Sequence, residues 1–359
     1  MKAAVISREI GLSTKHDHKN IKEVIVHTGQ HYDQNMSDIF FREMRIPEAD
    51  YNLEIRDCSH GAMTGRMLEK LEAVMVKEKP DVVLVYGDTN STLAGALAGA
   101  KLHIPVAHVE AGLRSFNMNM PEEINRILTD RISSLLFCPT GTSVTNLLQE
   151  GIGNDAKIFP RAPVVMNVGD VMYDATLFYK QIAKTGEFIQ GIIGSTGKNY
   201  YLATVHREEN TDNCERLTNI VDALELIAET TPVVLPLHPR TRKLLSVNDL
   251  QMRRVTTIDP VGYFDMLALL NSCKAVITDS GGLQKEAYFS RKPCITLRDE
   301  TEWVELVEHG VNTLVGAAKD AIVEAARCVS QTRGDYSTGL YGQGDAGCKI
   351  VSAIVNVLG

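Results

Sequence analysis

The sequence predicts an α/β protein built from two Rossmann-like parallel-sheet domains that face a central cleft. Short apolar strands alternate with amphipathic helical segments along the 359 residues, as in parallel sheets covered by helices on both faces. The strands are continuous apolar runs, which is typical of strands buried on both sides. A stretch rich in Gly, Pro, Asn and Ser interrupts this alternation between about residues 150 and 198, and it separates two halves.

Each half supplies its own strands. The candidates in the first half are EVIVHT (23–28), VVLVYG (82–87), VAHVE (106–110) and LLFCPT (135–140). Those in the second half are YYLATV (200–205), VVLPL (233–237), VTTID (255–259), AVIT (275–278), CITL (294–297) and NTLVG (312–316). MTGRMLEKLEAVMVKE (63–78) and EEINRILTDRIS (122–133) have apolar residues at helical spacing. We predict a first domain of residues 1–165 plus a final helix in 346–359, and a second domain of residues 166–345.

Composition limits the classes of partner. Hydrophobic residues make up 44% and charged residues 23% of the chain, and the net charge is −8. This charge gives no general attraction to nucleic acid or to an anionic membrane, so an anionic ligand needs a local pocket. No apolar run reaches the length of a membrane span, and we expect no secretory signal at Met1. The seven cysteines lack C-x-x-C pairs, which favours buried free thiols in a reducing cytoplasm.

Three acidic residues of the first half lie at or near strand ends. Asp88 follows VVLVYG, Glu110 ends VAHVE, and Glu122 follows Pro121. Asp88 could instead cap a helix, and Glu122 could be a favourable charge in a first helical turn. Glu110 fits neither interpretation, because Gly112 follows it and no helix begins there at once. Converging carboxylates lose water and repel one another, so at least one pKa should rise, and the three acids together predict proton transfer.

The second half offers groups that suit an anion. In TVHREEN (204–210), His206 and Arg207 follow strand YYLATV directly. In TDSGGLQKEA (278–287), a glycine turn joins strand AVIT to a helix, where backbone N–H groups and the helix dipole favour phosphate. The residues of that turn are Ser280, Gly281 and Gly282. Glu286, one turn further, could accept hydrogen bonds from a ribose diol or could be a solvated surface acid.

Cofactor and metal signals are weak. The glycine turn is neither G-x-x-x-x-G-K-[ST] nor G-x-G-x-x-G, which disfavours ATP hydrolysis and NAD binding. His16, Asp17 and His18 lie in the polar stretch STKHDHKN, which is typical of a solvated loop. The three acids of the first half could hold Mg²⁺, but no aspartate-rich motif accompanies them. We therefore predict neither a metal nor a cofactor.

The run GDTNSTLAGALAGAKLHIPVAHVEAGLRSFNMNMPEEINRILTD (87–130) resembles the non-hydrolysing UDP-N-acetylglucosamine 2-epimerase family. TGQHYD (28–33), VHREEN (205–210) and TDSGGLQKEA are similar to further family motifs in the same order, so the resemblance covers nearly the whole chain. It implies the glycosyltransferase-B architecture, a homodimer and a UDP-sugar substrate. Because fold alone does not give function, the inference depends on the matching site residues.

The resemblance also implies the chemistry. A base removes the C2 proton of a UDP-2-acetamido sugar while UDP leaves C1, which gives a glycal-type intermediate. UDP then adds back as a proton arrives on the other face. Asp88, Glu110 and Glu122 match family positions that move protons, with their division of labour open, and His206 matches a catalytic histidine. The implied substrate-binding residues are Lys2, Arg114, Arg126, Arg207, Met266, Ser280, Gly281, Gly282 and Glu286. Candidates for an allosteric role of substrate are His31, Arg66 and Arg207.

Several stretches resemble one branch of the family. HTGQHYDQNMSDIFF, HGAMTGRMLEK, NVGDVMYDA and ETEWVEL (300–306) are similar to enzymes that act on UDP-2,3-diacetamido-2,3-dideoxyglucuronate for bacterial surface polysaccharide such as O-antigen. The UDP-GlcNAc branch has Glu-Arg-Pro-Glu where this chain has Glu302, Trp303, Val304 and Glu305. The alternative substrate is UDP-GlcNAc, which would give UDP-ManNAc.

The start of the sequence departs from the family pattern. The family opens with a strand and a Gly-x-Arg-Pro turn, followed by a lysine that enters the first helix. MKAAVISREI resembles that helix directly, with Lys2 at the lysine position. We therefore expect a longer form with the upstream strand to be more active and more stable. An inactive nucleotide-sugar-binding chain, a glycosyltransferase of the same architecture and a hydrolysing epimerase are the rival interpretations.

Overall fold

The computed structural model describes residues 1–16, 21–30, 44, 46–56, 58–153, 162–331 and 334–358. The chain divides into two compact units. The first comprises Met1–Phe178 and Gly339–Gly359, and the second comprises Tyr179–Thr338. Every strand pairing in the described residues is parallel, as the alternating sequence pattern predicts.

The first unit contains two parallel sheets. Its strands are β1 (Val26–His27), β2 (Tyr51–Asn52), β3 (Val83–Tyr86), β4 (Val106–Val109), β5 (Leu135–Cys138) and β6 (Val164–Asn167). Strand β1 pairs with β2, and β3, β4, β5 and β6 follow in that order in a four-stranded sheet. The helices are α1 (Lys2–His16), α2 (His60–Glu78), α3 (Asn90–Lys101), α4 (Pro121–Ile132), α5 (Gly141–Gln149) and α6 (Val171–Ile182), whose last turn belongs to the second unit.

The second unit contains one six-stranded sheet. Its strands are β7 (Tyr201–Thr204), β8 (Val233–Pro236), β9 (Thr256–Ile258), β10 (Ala275–Thr278), β11 (Cys294–Thr296) and β12 (Asn312–Leu314), in the order β12-β11-β10-β7-β8-β9. Its helices are α7 (Glu187–Thr196), α8 (Glu208–Thr211), α9 (Cys214–Ala228), α10 (Pro239–Val247), α11 (Tyr263–Ser272), α12 (Gly281–Phe289), α13 (Val304–Glu308) and α14 (Lys319–Cys328). Successive strands are added to one side of β7 as far as β9, and then to its other side from β10 to β12. Open α/β sheets bind ligands at this change in strand order, which here lies between β7 and β10.

The final helix, α15 (Ala346–Leu358), returns to the first unit. Its Ile350 and Val351 are buried in one core cluster with Ile6 of α1 and with Ala107 and Val109 of β4. The last helix thus packs on the first unit. The predicted helical character of MKAAVISREI is confirmed, because these residues from Lys2 onward lie in α1.

All ten strand candidates contain observed strands, and the two helical segments coincide with α2 and α4. Among the strands in the described part of the chain, β2 and β6 were not predicted. Strand β6 lies inside the stretch that the sequence assigns to the break, and it pairs with β5 in the register Leu135 beside Val164. The first unit therefore extends past the predicted boundary at residue 165. Residues 339–345 also belong to it, since the amide of Asp170 donates to the carbonyl of Tyr341 at 3.0 Å.

The central strands are buried on both faces. Every residue of β4, β5, β7, β8 and β10 is buried, which explains their largely apolar sequences, with His108 of β4 as the buried ionisable exception. In the portion of the chain that the structure describes, no helix combines the length and apolar character that a membrane crossing requires.

All seven cysteines are free thiols, but Cys214 and Cys348 are exposed where buried positions were expected. The side chains of His16, Asp17 and His18 lie outside the described residues.

Candidate active site

Two acidic side chains of the first unit follow neighbouring strands. Strands β3 and β4 pair in parallel with Tyr86 beside Val109, and the amide of Gly87 donates to the carbonyl of Val109 at 3.0 Å. Asp88 and Glu110 therefore lie together at the carboxyl edge of this sheet. This is the edge at which parallel sheets place ligand-binding residues.

Glu110 has a backbone conformation that is unusual for a residue with a side chain. Its φ is 75°, in the left-handed region, which costs energy for a non-glycine residue. Its side chain is only 7% exposed and forms an ion pair with the ammonium of Lys2. A Cβ on Gly87 would lie 2.8 Å from Lys2 Nζ and 3.4 Å from Glu110 Oε2, so glycine there leaves room for the pair. The strained turn thus holds a buried carboxylate against one cation.

Asp88 does not cap the following helix. The N-cap of α3 is Thr89, which forms a capping box with Thr92, so the helix-cap interpretation of Asp88 is wrong. Its Oδ2 instead accepts a hydrogen bond from Arg126 Nε at 3.1 Å, and its side chain is 34% exposed. Arg126 also donates to Glu123 and is almost fully buried. Arg126, predicted as a substrate contact, is therefore bound to two acids.

The first turn of α4 supplies two glutamates with different surroundings. Glu122 is partly exposed, and it lies four residues before Arg126, on the same face of the helix. The neighbouring Glu123, which the sequence analysis missed, is 1% exposed. It accepts hydrogen bonds from Ser115 N at 3.0 Å, Phe116 N at 2.9 Å and Arg126. Glu123 thus fixes the loop that leads away from Glu110.

Arg114 has a structural role instead of the predicted substrate contact. Its guanidinium is 1% exposed, and it donates to Asp130 at 2.7 Å and to Glu150 at 2.6 and 2.9 Å. Burial disfavours its charge, but these two carboxylates raise the pKa of Arg114. A guanidinium enclosed in this way offers no surface to a ligand.

In the second unit, His206 and the glycine turn at Ser280 both lie where the strand order changes, between β7 and β10. Strands β7 and β10 pair with Thr204 beside Thr278. His206 follows the first strand, and the turn at Ser280 follows the second. The two segments are therefore neighbours at one sheet edge, and this edge is where the fold places ligands.

A buried aspartate that the sequence analysis missed joins these two segments. Asp279 is 0% exposed and accepts hydrogen bonds from the amides of His206, at 3.0 Å, and Arg207, also at 3.0 Å. It also accepts from Asn210 Nδ2 at 3.2 Å. The ring of His206 has Nδ1 3.4 Å from Asp279 Oδ1 and is 42% exposed. Asp279 therefore sets the orientation of a histidine that remains open to a ligand.

The glycine turn begins α12. Ser280 is the N-cap, and its hydroxyl accepts from Leu283 N at 3.4 Å. A Cβ on Gly281 would lie 2.5 Å from Glu302 Oε1, so this position needs glycine because an acid approaches its backbone. The first amides of α12 and the helix dipole give the turn a favourable potential for an anion. Gly282 continues the turn into the helix and is partly exposed.

The remaining predicted residues are spread over the second unit. Glu286 is 7% exposed, so the interpretation as a solvated surface acid is wrong. Arg207 is partly exposed at the N-cap of α8. Met266 lies in the first turn of α11, packed against a core cluster. In the first unit, Arg66 is exposed on α2, while His31 lies outside the described residues.

Trp303 lies close to the glycine turn. It is 3% exposed, and its Nε1 would be 3.5 Å from a Cβ on Gly281. Lys285 Nζ lies 4.1 Å from the centre of the Trp303 ring, which is cation–π geometry. Next to it, Glu302 pairs with Arg298 at 2.7 Å. Trp303, at which we expect the two family branches to differ, thus packs beside the predicted diphosphate turn.

Parallel sheets with acids at one carboxyl edge, and a histidine and glycine turn at another, are typical of α/β enzymes that bind nucleotides. The family model described as UDP-N-acetylglucosamine 2-epimerase matches residues 14–355. The chain belongs to this family. The predictions of the family and of an isomerase are thus confirmed.

Individual relatives extend over almost the whole chain. A UDP-2,3-diacetamido-2,3-dideoxy-D-glucuronate 2-epimerase of Pseudomonas aeruginosa is 53% identical over 99% of this chain and 96% of that protein. A UDP-N-acetylglucosamine 2-epimerase of Methanocaldococcus jannaschii is 46% identical over 92% and 91%. The crystal structure of a UDP-GlcNAc 2-epimerase of the same organism, in complex with UDP-GlcNAc and UDP, has a TM-score of 0.88 at 43% identity, covering 99% of this chain and 97% of that one. The similar solved structures confirm the predicted fold class.

Proposed function

We propose that the chain inverts carbon 2 of UDP-2,3-diacetamido-2,3-dideoxyglucuronate, giving the mannuronate isomer, by elimination and re-addition of UDP. The observation that carries the proposal is the 53% identity, over nearly the full length of both chains, to the P. aeruginosa enzyme of that name. The strand-end acids Asp88 and Glu110 supply the proton-transfer groups that this reaction requires. The packing of Trp303 beside the glycine turn supports the choice of branch.

In the proposed reaction, a carboxylate of the first unit takes the C2 proton as the C1–O bond to UDP breaks. A C1=C2 double bond forms, and the electrons of the broken bond leave with UDP. In the return step, UDP attacks C1 and a proton is delivered to the opposite face of C2, so the reaction has no net redox change. Glu110, held by Lys2 in an ionised pair, and Asp88, beside Arg126, are the two candidates best placed for these steps. Glu122 is the third carboxylate of the proposed set.

The second unit binds UDP in this proposal. The amides of Gly281 and Gly282 at the start of α12 receive the diphosphate beside the N-cap residue Ser280, whose own amide donates to Thr278 Oγ1 at 2.9 Å. The exposed ring of His206, oriented by Asp279, stabilises the negative charge on departing UDP. Glu286 accepts hydrogen bonds from the ribose hydroxyls. Arg207 and Met266 are the proposed further substrate contacts.

Conversion of UDP-GlcNAc to UDP-ManNAc is the second candidate function. It is favoured by the similarity to the M. jannaschii UDP-GlcNAc 2-epimerase, whose crystal structure is of a complex with UDP-GlcNAc and UDP. At the position of Trp303, however, the UDP-GlcNAc branch pattern has an arginine.

We also propose that the protein acts as a homodimer and that it is located in the cytoplasm. The seven free cysteines are consistent with that location.

Both candidates are tested by NMR in D₂O with purified protein and each UDP-sugar separately. We expect deuterium at C2 and the 2-epimer from the diacetamido-uronate, at a rate well above that from UDP-GlcNAc. Faster conversion of UDP-GlcNAc would favour the second candidate. Release of free sugar and UDP would indicate a hydrolysing enzyme, and absence of C2 exchange from both substrates would overturn the proposal. A reaction that needs an added acceptor would indicate a glycosyltransferase.

A further inference from the structure

A fully buried histidine bridges the segments that carry Asp88 and Glu110. His108 of β4 is 0% exposed. Its Nε2 lies 2.8 Å from the carbonyl oxygen of Gly87, the residue before Asp88. A carbonyl oxygen can only accept a hydrogen bond, so Nε2 must carry a hydrogen.

The other ring nitrogen also faces an acceptor. His108 Nδ1 lies 2.7 Å from Asp130 Oδ1. Asp130 Oδ2 accepts from Gly112 N at 3.1 Å and from Arg114 Nη1 at 2.7 Å. Burial disfavours the ionised acid, yet the hydrogen bonds and charges of His108 and Arg114 hold the pKa of Asp130 below its usual range. Because Arg114 forms an ion pair with Asp130 whatever the charge of the histidine, Asp130 is a carboxylate, which only accepts, and Nδ1 must carry a hydrogen as well.

The charges around the ring balance when the histidine is positive. Arg114 is the second cation of this buried group, and Asp130 and Glu150 are its two anions. Burial raises the pKa of the neighbouring Cys138, so its thiol is neutral. An imidazolium thus makes the group neutral overall, whereas a neutral His108 would leave one excess negative charge on a group in which Glu150, 28% exposed, is the member nearest to solvent.

We infer that His108 is a buried imidazolium that acts as a positioning residue for Asp88 and Glu110. One N–H holds the carbonyl that leads into Asp88, and the other holds Asp130, which in turn fixes Gly112 just after Glu110. Both strand ends have left-handed residues, Gly87 with φ 65° and Glu110 with φ 75°, so they need such restraints to keep one conformation. A neutral ring would place a lone pair against the Gly87 oxygen or the Asp130 carboxylate.

The first test reads protonation directly and does not depend on activity. In ¹⁵N-histidine-labelled protein at about pH 7.5, the ring of His108 should show two N–H protons and two protonated nitrogens, the signature of an imidazolium. The resonances are assigned by their loss in His108→Gln. A ring with one unprotonated nitrogen at about pH 7.5 would overturn the inference.

The second test separates positioning from stability, and it depends on the proposed function. His108→Gln can keep a donor toward Gly87, and His108→Asn can keep a donor toward Asp130, but neither carries a charge. We expect kcat for C2 exchange to fall about 10- to 100-fold in both, with KM nearly unchanged, because misplacement of reacting groups has costs of this size. His103→Gln, an exposed histidine before β4, is the matched control and should retain the wild-type kcat.

Wild-type kcat in both folded His108 variants would overturn the positioning role. If both variants fail to fold, the NMR spectrum of the wild-type protein still decides whether the ring is an imidazolium. Failure of the proposed function has a different signature, since the wild-type protein would then show no C2 exchange with either UDP-sugar while the ring protonation could still be read.

Discussion

At the scale of single residues, the site of the first unit is built from acids that differ mainly in their partners. Glu110 is buried and paired with Lys2, whereas Asp88 is one third exposed and shares Arg126 with Glu123. An opposite charge in contact with a buried carboxylate favours its ionised form. The ammonium of Lys2 therefore keeps Glu110 ready to accept a proton.

We predict that Lys2→Met lowers kcat for C2 exchange by about 10²-fold or more, the size expected for loss of one acid–base group. The variant keeps the side-chain length but leaves Glu110 buried without its ammonium partner, so the ionised base becomes less favourable. Because Lys2 acts on Glu110, the fall in kcat should exceed the rise in KM. The measurement is deuterium uptake at C2 by NMR over a range of substrate concentrations.

The exposed Lys101, at the end of α3, provides the control. Lys101→Met removes the same charge from the same unit and should leave the exchange rate unchanged. An exchange rate in Lys2→Met equal to that of the control would show that the ion pair has no part in the reaction.

The sequence predicts which residue types lie at the strand ends, but not which partners they have. Asp88 and Glu110 could be found because each follows an apolar strand. The structural role of Arg114 could not, because it depends on Asp130 and Glu150, brought close only by folding. Glu123 did leave a signal, since it lies three and seven residues before the buried Arg126 and Asp130, on one helical face.

At the scale of elements, burial makes a strand easier to predict, although the mostly exposed β9 was predicted as well. The fully buried strands have largely apolar sequences and were all predicted. Strand β6 is only partly buried and ends at the exposed Asn167, so it lacks that pattern and was assigned to the break. Strand β2 has two residues, Tyr51 and Asn52, which is too short for any periodicity to appear.

The start of α12 shows how an element is adapted to a ligand and a neighbour together. We predict that Gly281→Ala lowers the free energy of unfolding by about 1–3 kcal/mol, the usual cost of overpacking, and weakens UDP binding. The new Cβ would lie 2.5 Å from Glu302 Oε1, and Glu302 is held in a buried pair with Arg298. Urea unfolding and UDP titration calorimetry measure the two effects.

Gly191→Ala in α7 is the matched control, because a Cβ at this exposed helical position meets no atom within 4 Å. It should raise the free energy of unfolding by about 0.5–1 kcal/mol through helix propensity and leave UDP binding unchanged. Equal stabilisation by both substitutions would contradict the proposed constraint at Gly281.

At the scale of the whole molecule, the C-terminal helix α15 is held to the first unit by a hydrogen bond to the buried acid Asp174. Asp174 of α6 is 4% exposed, and it accepts a hydrogen bond from Gly347 N at 2.8 Å, in the first turn of α15. Burial raises the pKa of Asp174 to about 6, and repulsion from Asp170 and Asp345 adds to this effect. The backbone amides of Gly347 and Ala346 lower the pKa, but by less. The C-terminal helix is thus anchored by an acid that binds its proton more tightly in the folded chain.

The sign of the resulting pH dependence follows from the raised pKa. The folded chain holds this proton up to about pH 6, whereas an unfolded chain releases it near the ordinary aspartate value of about 3.9. The stabilising contribution of the protonated acid is therefore complete below the unfolded value and is lost as pH rises through about 6. We predict that Asp174→Asn, which resembles the neutral acid, reduces this loss, so that its stability relative to wild type is greater at about pH 7.5 than at about pH 4, by on the order of 1 kcal/mol.

Urea unfolding of both proteins at the two pH values gives this difference directly, and other titrating groups cancel because they are shared. Asp81→Asn, at an exposed acid just before β3, should show no such difference between the two pH values. If Asp174→Asn instead loses stability relative to wild type as pH rises, ionised Asp174 would be stabilising, and its amide bonds to α15 would outweigh the cost of burying its charge.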